Sequence, residues 1–186
     1  MSEELQQPAV IDLEALLQPI PGENPSGENL RYSGLYDEIA EARREDEALN
    51  QGDWQSELKV ADYRRVMELA IPALTSRAKD LQVAAWLSQA LIKNFGFLGL
   101  RDGLILLAGL QSNFWDTLYP EIDEGDMEGR ANAISWFDTV AEFDLKKCPF
   151  TGAEGYSFVD WEDSKRFDFP ENVSSLESSE QARLSA

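Results

Sequence analysis

The side chains of this chain that could perform chemistry are almost all carboxylates. The sequence contains 35 Asp and Glu, 16 Lys and Arg, a single cysteine (Cys148) and no histidine. Without histidine there is no imidazole to act as a general base, to complete a catalytic triad or to ligate zinc. One cysteine excludes an internal disulfide and a cysteine-cluster metal site. The formal charge of −19 repels phosphate backbones and anionic lipid, so the composition disfavours nucleic-acid and membrane-surface binding.

The densest group of carboxylates consists of Glu121, Asp123, Glu124, Asp126 and Glu128. A calcium-binding loop that began at Glu124 would place Ser135 at its twelfth position, where a bidentate Glu is required. Acidic residues that precede a helix instead interact favourably with its N-terminal dipole. We therefore interpret this cluster as the start of a helix, and the sequence predicts no metal site, no cofactor and no catalytic residue.

Helices must position these side chains, because apolar residues recur three and four positions apart along most of the chain. The spacing predicts helices over residues 11–17, 32–51, 63–74, 79–94, 98–115 and 128–143, with Pro72 expected to kink or end the third. Only residues 95–97 separate two of these helices, and so short a connection makes them antiparallel neighbours. The predicted fold is mainly all-α. It is a compact bundle of five to seven helices with a central antiparallel hairpin and a short extended segment near residues 156–159.

The second helix of this hairpin is apolar almost all round, which predicts that it is the central buried helix. Leu87 and Leu91 on the preceding helix are expected to pack against Leu104 and Leu107. Leu104→Ala should then lower the free energy of unfolding by about 2–5 kcal/mol.

Two glycines, Gly99 and Gly103, lie one turn apart on the same helix. Each weakens a helix by about 1 kcal/mol relative to Ala. Close approach by the backbone of a neighbouring helix would offset that cost.

The chain is expected to form one domain with two flexible ends. Residues 1–10 resemble a frayed leader whose acidic start is unlike a signal peptide. Residues 11–168 form the single helical domain, and residues 169–186 form a Ser- and Glu-rich tail or a linker to a further C-terminal region. No apolar run is long enough to span a membrane, and a lone cysteine fits the reducing cytoplasm.

Several separated motifs occur in order along the chain. They are PIPGENPSGENLRY at 19–32, DYRRV at 62–66, RAKDLQVAAWL at 77–87, GFLGLRDGL at 96–104, FWDTLYP at 114–120 and DMEGRANAISWF at 126–137. Together they resemble the N-terminal conserved region (ImpA_N) of the TssA/ImpA proteins of bacterial type VI secretion, over roughly residues 13–165. Tyr63 and Ala78 depart from the Trp and Ser of that pattern, and both changes lie at helix starts.

The resemblance implies a helical, non-enzymatic component of a contractile secretion apparatus. Such proteins act in the bacterial cytoplasm during baseplate and tail-sheath assembly. Their implied partners are other secretion subunits: the baseplate, the tail tube and sheath, and the membrane complex, with neither nucleic acid nor direct membrane insertion. The resemblance also implies that the full-length protein is a homo-oligomer, with its ring-forming region beyond this segment. No active-site residue comes with the family.

Two functions of other classes stay open from the residues alone. One is a carboxylate or Mg²⁺-dependent hydrolase on a helical scaffold, because Asp53-Trp54 and Asp160-Trp161 each place a carboxylate beside an apolar ring. The other is an acidic nucleic-acid mimic that blocks a basic protein, whose binding would weaken with salt.

The aromatic residues at the ends of the hairpin are the candidate partner-binding residues. Phe95 and Phe97 flank Gly96 at the tip, where a solvent-facing turn is a poor place for Phe. These rings either tuck under a neighbouring element or anchor a partner, because interfaces concentrate their energy in aromatic side chains. Trp115 and Tyr119, at the other end of the second helix, are the next candidates.

Overall fold

Helices account for the architecture of the chain. The computed structural model describes residues 7–46 and 58–166. Its six helices are α1 (Leu13–Leu17), α2 (Leu35–Arg43), α3 (Tyr63–Ser76), α4 (Leu81–Phe114), α5 (Glu128–Lys146) and α6 (Phe158–Ser164). No strand occurs among the described residues, which contain only isolated β-bridges. The predicted all-α class is therefore confirmed.

The chain divides into two compact units, Met1–Leu145 and Lys146–Ala186. The first contains α1 to α4 and almost all of α5, and the second contains α6. The predicted leader lies partly, and the predicted tail wholly, outside the described residues, so the domain boundary at residue 168 stays a prediction.

The longest element, α4, is a helical hairpin. Its first arm (residues 81–95) and second arm (residues 97–114) meet at Gly96, whose φ of 57° and ψ of −130° interrupt the helix. Positive φ is a conformation that glycine adopts readily and other residues avoid. The predicted central antiparallel hairpin is thus confirmed, and the chain reverses direction at Gly96 alone.

The two arms lie unusually close together where the paired glycines face the first arm. A Cβ atom at Gly99 would lie 2.0 Å from the Leu91 carbonyl oxygen, and one at Gly103 would lie 2.8 Å from the Ser88 Cβ atom. The Ser88 hydroxyl is 3.4 Å from the Gly103 carbonyl oxygen. At both positions, close contact with the first arm therefore offsets the low helix propensity of glycine, as the sequence predicts.

The first arm of α4 is the buried centre of the first unit. Its buried apolar residues are Leu81, Val83, Ala84, Ala85, Leu87, Ala90, Leu91 and Ile92. The second arm buries only the face that carries Leu106, Leu107 and Leu110. The prediction that the second arm is the central buried helix and that Leu104 packs in the core is therefore wrong, since Leu104 is 49% exposed. The second arm is apolar on two faces, and its periodicity does not indicate which one meets the core.

Other boundaries differ from the predicted ones for local reasons. α2 begins at Leu35 after Gly34, whose φ is 85°, so Tyr32 lies outside the helix and is 87% exposed. α3 continues through Pro72 to Ser76, and the Ser76 hydroxyl donates a hydrogen bond to the Pro72 carbonyl oxygen.

The short extended segment predicted near residues 156–159 ends at Ser157, whose backbone is extended, because α6 begins at Phe158. Ser157 caps this helix by accepting from the Asp160 amide, and the Asp160 carboxylate accepts from the Ser157 amide. This reciprocal capping box fixes the first turn of a helix. The Ser-x-x-Asp spacing was the signal for it in the sequence.

Polar contacts join α5 to the rest of the first unit. The Asp144 carboxylate accepts from the Gln89 side-chain amide at 3.2 Å and pairs with the Lys93 ammonium at 2.7 Å. Gln89 in turn accepts from the Arg43 guanidinium, which lies 4.4 Å from the centre of the Trp136 ring. Residues from α2, α4 and α5 thus share one polar cluster.

We expect Leu106→Ala to lower the free energy of unfolding by about 2–5 kcal/mol, because Leu106 is fully buried and its removal leaves a cavity. Leu104→Ala, two residues away on the exposed face, should lower it by less than about 1 kcal/mol. Urea denaturation of both variants measures the difference. Equal losses would contradict this assignment of the buried face.

Candidate functional site

Three of the motifs that carry the resemblance meet where α4 begins and ends. Three segments, residues 24–28, 77–81 and 117–120, form what we call the base junction. The Tyr119 carbonyl oxygen accepts from the Leu81 amide at 2.7 Å, and the Lys79 carbonyl oxygen accepts from the Tyr119 amide at 3.0 Å. Residues far apart in sequence are therefore joined by backbone hydrogen bonds at one end of the hairpin.

Lys79 is a fully buried lysine within the base junction. Its ammonium donates to the Leu16 carbonyl oxygen at 2.8 Å and to the Leu74 carbonyl oxygen at 2.6 Å. These oxygens lie near the C-terminal ends of α1 and α3, where a cation is favoured by the helix dipole. Burial lowers the pKa of Lys79 to about 8. The Lys79 side chain thus hydrogen-bonds one carbonyl oxygen near the end of each of two helices.

Asp80, the next residue, begins α4. Its carboxylate accepts from the amides of Gln82 and Val83 at 2.9 and 3.0 Å, and from the Tyr36 hydroxyl at 2.8 Å. Burial raises the pKa of Asp80 to about 6 and is also the main cause of the raised pKa of Tyr36. The contact with Tyr36 fastens α2 to the start of the hairpin.

Tyr119, one of the candidate partner-binding residues, belongs to the interior of the base junction and is only 6% exposed. Its hydroxyl donates to the Gly27 carbonyl oxygen and accepts from the Asn24 side-chain amide, both at 3.1 Å. Tyr119 therefore holds the loop that precedes α2 and presents almost no surface to a partner.

Trp115, another candidate, lies beside a guanidinium that positions α5. Arg130 donates to the carbonyl oxygens of Trp115 at 2.6 Å, Pro120 at 2.8 Å and Leu118. Its guanidinium carbon lies 4.9 Å from the centre of the Trp115 ring, which is 42% exposed. The ring is thus held in place and partly open to solvent.

The hairpin tip carries the other two candidates. Phe95 is 40% exposed and Phe97 is 49% exposed, so neither ring is fully tucked under a neighbouring element. Phe95 borders a cleft of about 490 Å³ between α3 and the tip, which we call the tip cleft. Its other lining residues are Arg64, Met67, Glu68, Ile71, Pro72 and Asn94.

A second concave surface lies between the second arm of α4 and α5. This arm groove has a volume of about 430 Å³. The second arm contributes Leu100, Leu104, Leu107, Ala108 and Gln111, and α5 contributes Ile134, Phe137, Asp138, Ala141, Glu142 and Leu145. Apolar periodicity did not predict this surface, because it placed Leu104 in the core.

Two of the acidic residues considered for chemistry, Asp126 and Asp160, accept hydrogen bonds at helix starts. Asp126 accepts from the Glu128 amide at 2.7 Å at the start of α5, and Asp160 belongs to the capping box of α6. Asp53 and Trp54 lie outside the described residues. Within residues 7–46 and 58–166, no group of three or more His, Cys, Asp or Glu could hold a metal ion. No helix in those ranges is long and apolar enough to cross a membrane.

Comparison with known proteins identifies the family. Residues 17–139, well over half of the chain, match the family model described as ImpA, N-terminal, type VI secretion system. The chain belongs to the ImpA N-terminal family. The resemblance found in the sequence motifs is therefore confirmed, and the matched range of this ImpA_N chain includes the whole base junction.

Two relatives of this ImpA_N chain are longer than it is. It is 31% identical over 129 residues to the type VI secretion system component TssA1 of Pseudomonas aeruginosa, which covers 68% of this chain and 37% of the relative. It is also similar, with a TM-score of 0.71 and 32% identity, to a solved N-terminal domain of the TssA component from Burkholderia cenocepacia that includes the conserved ImpA_N region. That match covers 89% of this chain and 62% of the solved one. The chain thus spans less than two thirds of either relative.

Asp80→Asn should remove a pH dependence from the stability of the ImpA_N fold. The Asp80 carboxyl has a pKa of about 6 when folded and an ordinary value of 3.8, so it binds a proton on folding between these pH values. Its stabilising contribution is therefore complete below about pH 4 and is lost as the pH rises through 6. Asn keeps the helix cap but does not titrate.

Urea denaturation of both proteins from pH 4 to pH 7 measures this effect. The stability of the unsubstituted protein relative to Asp80→Asn should fall by roughly 2–3 kcal/mol as the pH rises across that range. A difference that stays constant with pH would contradict the assignment.

Proposed function

We propose that this chain is a non-enzymatic recruitment domain of the bacterial type VI secretion apparatus. It acts in the cytoplasm during baseplate and tail-sheath assembly, where it binds other subunits through protein–protein contacts. The partners are subunits of the baseplate, of the tail tube and sheath, or of the membrane complex. The full-length protein assembles as a homo-oligomer through a region beyond this segment.

The observation that carries this proposal is the pair of half-exposed aromatic rings at the hairpin tip. Phe95 and Phe97 are held on either side of Gly96, so the hairpin fixes their positions. Clustered apolar side chains on a surface mark interaction sites, and aromatic anchors dominate the energy of such sites. The tip cleft beside Phe95 adds a concave apolar surface into which a partner side chain can insert.

The use of the buried polar groups supports a structural role over a catalytic one. Lys79, Asp80 and Arg130 donate to or accept from groups that hold helices and loops together. Their shifted pKa values therefore accompany a structural network of hydrogen bonds. The charge of −19 favours partners with basic surfaces over nucleic acid.

Phe97→Ser should weaken binding to the partner subunit by about tenfold or more and leave the melting temperature nearly unchanged, because the ring is half exposed. The measurement is titration of this chain against separately purified baseplate, tube, sheath and membrane-complex subunits, with thermal unfolding in parallel. Tyr32→Ser is the matched control, since Tyr32 is a highly exposed aromatic residue outside the tip.

Each outcome of this titration has a separate meaning. Loss of binding in Phe97→Ser alone would support the proposal. A large fall in melting temperature would place Phe97 in the core, and unchanged binding would remove the tip from the interface. If the unsubstituted chain binds none of these subunits, the recruitment function itself is wrong.

A further inference from the structure

We propose that the arm groove binds one amphipathic helix of another protein, about three turns long, with basic residues along the edge that faces α5. This inference rests on the proposed recruitment function and adds the chemical class of a partner segment. It concerns a surface separate from the tip cleft.

The floor of the arm groove is apolar on both sides. Leu104 and Ala108 of the second arm are exposed, and Phe137 and Ala141 of α5 line the opposite side. On each helix the lining residues recur three and four positions apart, so each helix presents one continuous face. A mainly apolar groove between two helices is the form of surface that binds the apolar side of a helix.

The length of the groove matches a short helical segment. Its lining on the second arm extends from Leu100 to Gln111, which corresponds to about 17 Å at 1.5 Å per residue. A partner helix of about three turns has the same length.

The apolar stripe continues beyond the groove at both ends. Phe97 and Trp115 are separated by about 18 residues, or five turns, and therefore share the face that carries Leu104. Both rings are half exposed, so they extend the apolar floor at either end of a bound helix.

The charged residues that line the groove determine which side chains fit at the edge of the partner helix. The charged side chains in the lining, Asp138 and Glu142, are both carboxylates on α5. Arg101 lies on the exposed stripe of the second arm, but its guanidinium pairs with Asp102 at 2.7 Å. A helix with Lys or Arg along the edge that faces α5 therefore meets opposite charge there.

The same charges disfavour a second copy of this chain as the occupant. A copy bound face to face would bring its own Asp138 and Glu142 into the interface, on a molecule that also carries a charge of −19. Like charges placed together across an interface suppress that pairing.

Two labelled peptides test the proposal. Both are amphipathic helices of about 14 residues with the same Leu positions, one with Lys and the other with Glu at all remaining positions. Binding to the whole chain is measured by fluorescence anisotropy at 0.15 M salt, where surface charges are partly screened. The Lys peptide should bind, and the Glu peptide should bind at least tenfold more weakly.

Substitutions at adjacent exposed positions separate groove binding from attraction to the acidic protein as a whole. Leu104→Ser should weaken binding of the Lys peptide by tenfold or more, because Leu104 lines the groove. Ile105→Ser should change it by less than twofold, because Ile105 is equally exposed, at 45%, and does not line it. Asp138→Lys should reduce the preference for the Lys peptide over the Glu peptide.

Several results would overturn the inference. These are no binding of the Lys peptide, equal effects of the two serine substitutions, or no preference between the peptides. Sedimentation equilibrium adds another: a dimer that Leu104→Ser dissociates and Ile105→Ser does not would assign the groove to a second copy. The recruitment proposal fails separately, since it depends on whether the unsubstituted chain binds any of the whole subunits.

Discussion

The pair Lys79-Asp80 is the constraint on which the rest of the first unit depends. Burying two charged groups is expensive unless each is hydrogen-bonded. Lys79 meets this requirement at the C-terminal ends of α1 and α3, and Asp80 meets it at the start of α4 and at Tyr36 of α2. Four helices are therefore fixed by two adjacent residues, and displacement of any one of them leaves a buried charge without a partner.

The remaining elements are arranged around that point. Backbone hydrogen bonds of Tyr119 with Lys79 and Leu81 join the two ends of α4. Arg130 donates to the carbonyl oxygens of Leu118 and Pro120 and thereby positions the start of α5. The polar groups that the motifs contribute are thus consumed in holding the base of the hairpin. The exposed surfaces away from the base are mainly apolar at the hairpin tip and along the second arm, and they are bordered by charged side chains such as Glu68, Asp138 and Glu142.

Local signals in the sequence predicted the helical class and the hairpin. They did not predict which helix faces and which side chains are buried. The short connection around Gly96 indicated antiparallel arms. The glycine pair Gly99 and Gly103 indicated that these arms lie in close contact. The sequence did not indicate which apolar face of the second arm meets the core, so the exposure of Leu104 and the groove beside it were missed. The interior positions of Lys79 and Tyr119 depend on acceptors supplied by distant segments, which periodicity and spacing do not report.

The reversal at Gly96 separates two kinds of evolutionary constraint. The tip lies a full arm length, roughly 20 Å, from the base junction, so side chains there touch none of the hydrogen bonds of that junction. The exposed residues on either side of Gly96 can therefore change without disturbing the junction, whereas a change at Lys79 or Asp80 disturbs a buried network of hydrogen bonds. One hairpin thus leaves its far end open to sequence variation while its base holds the scaffold.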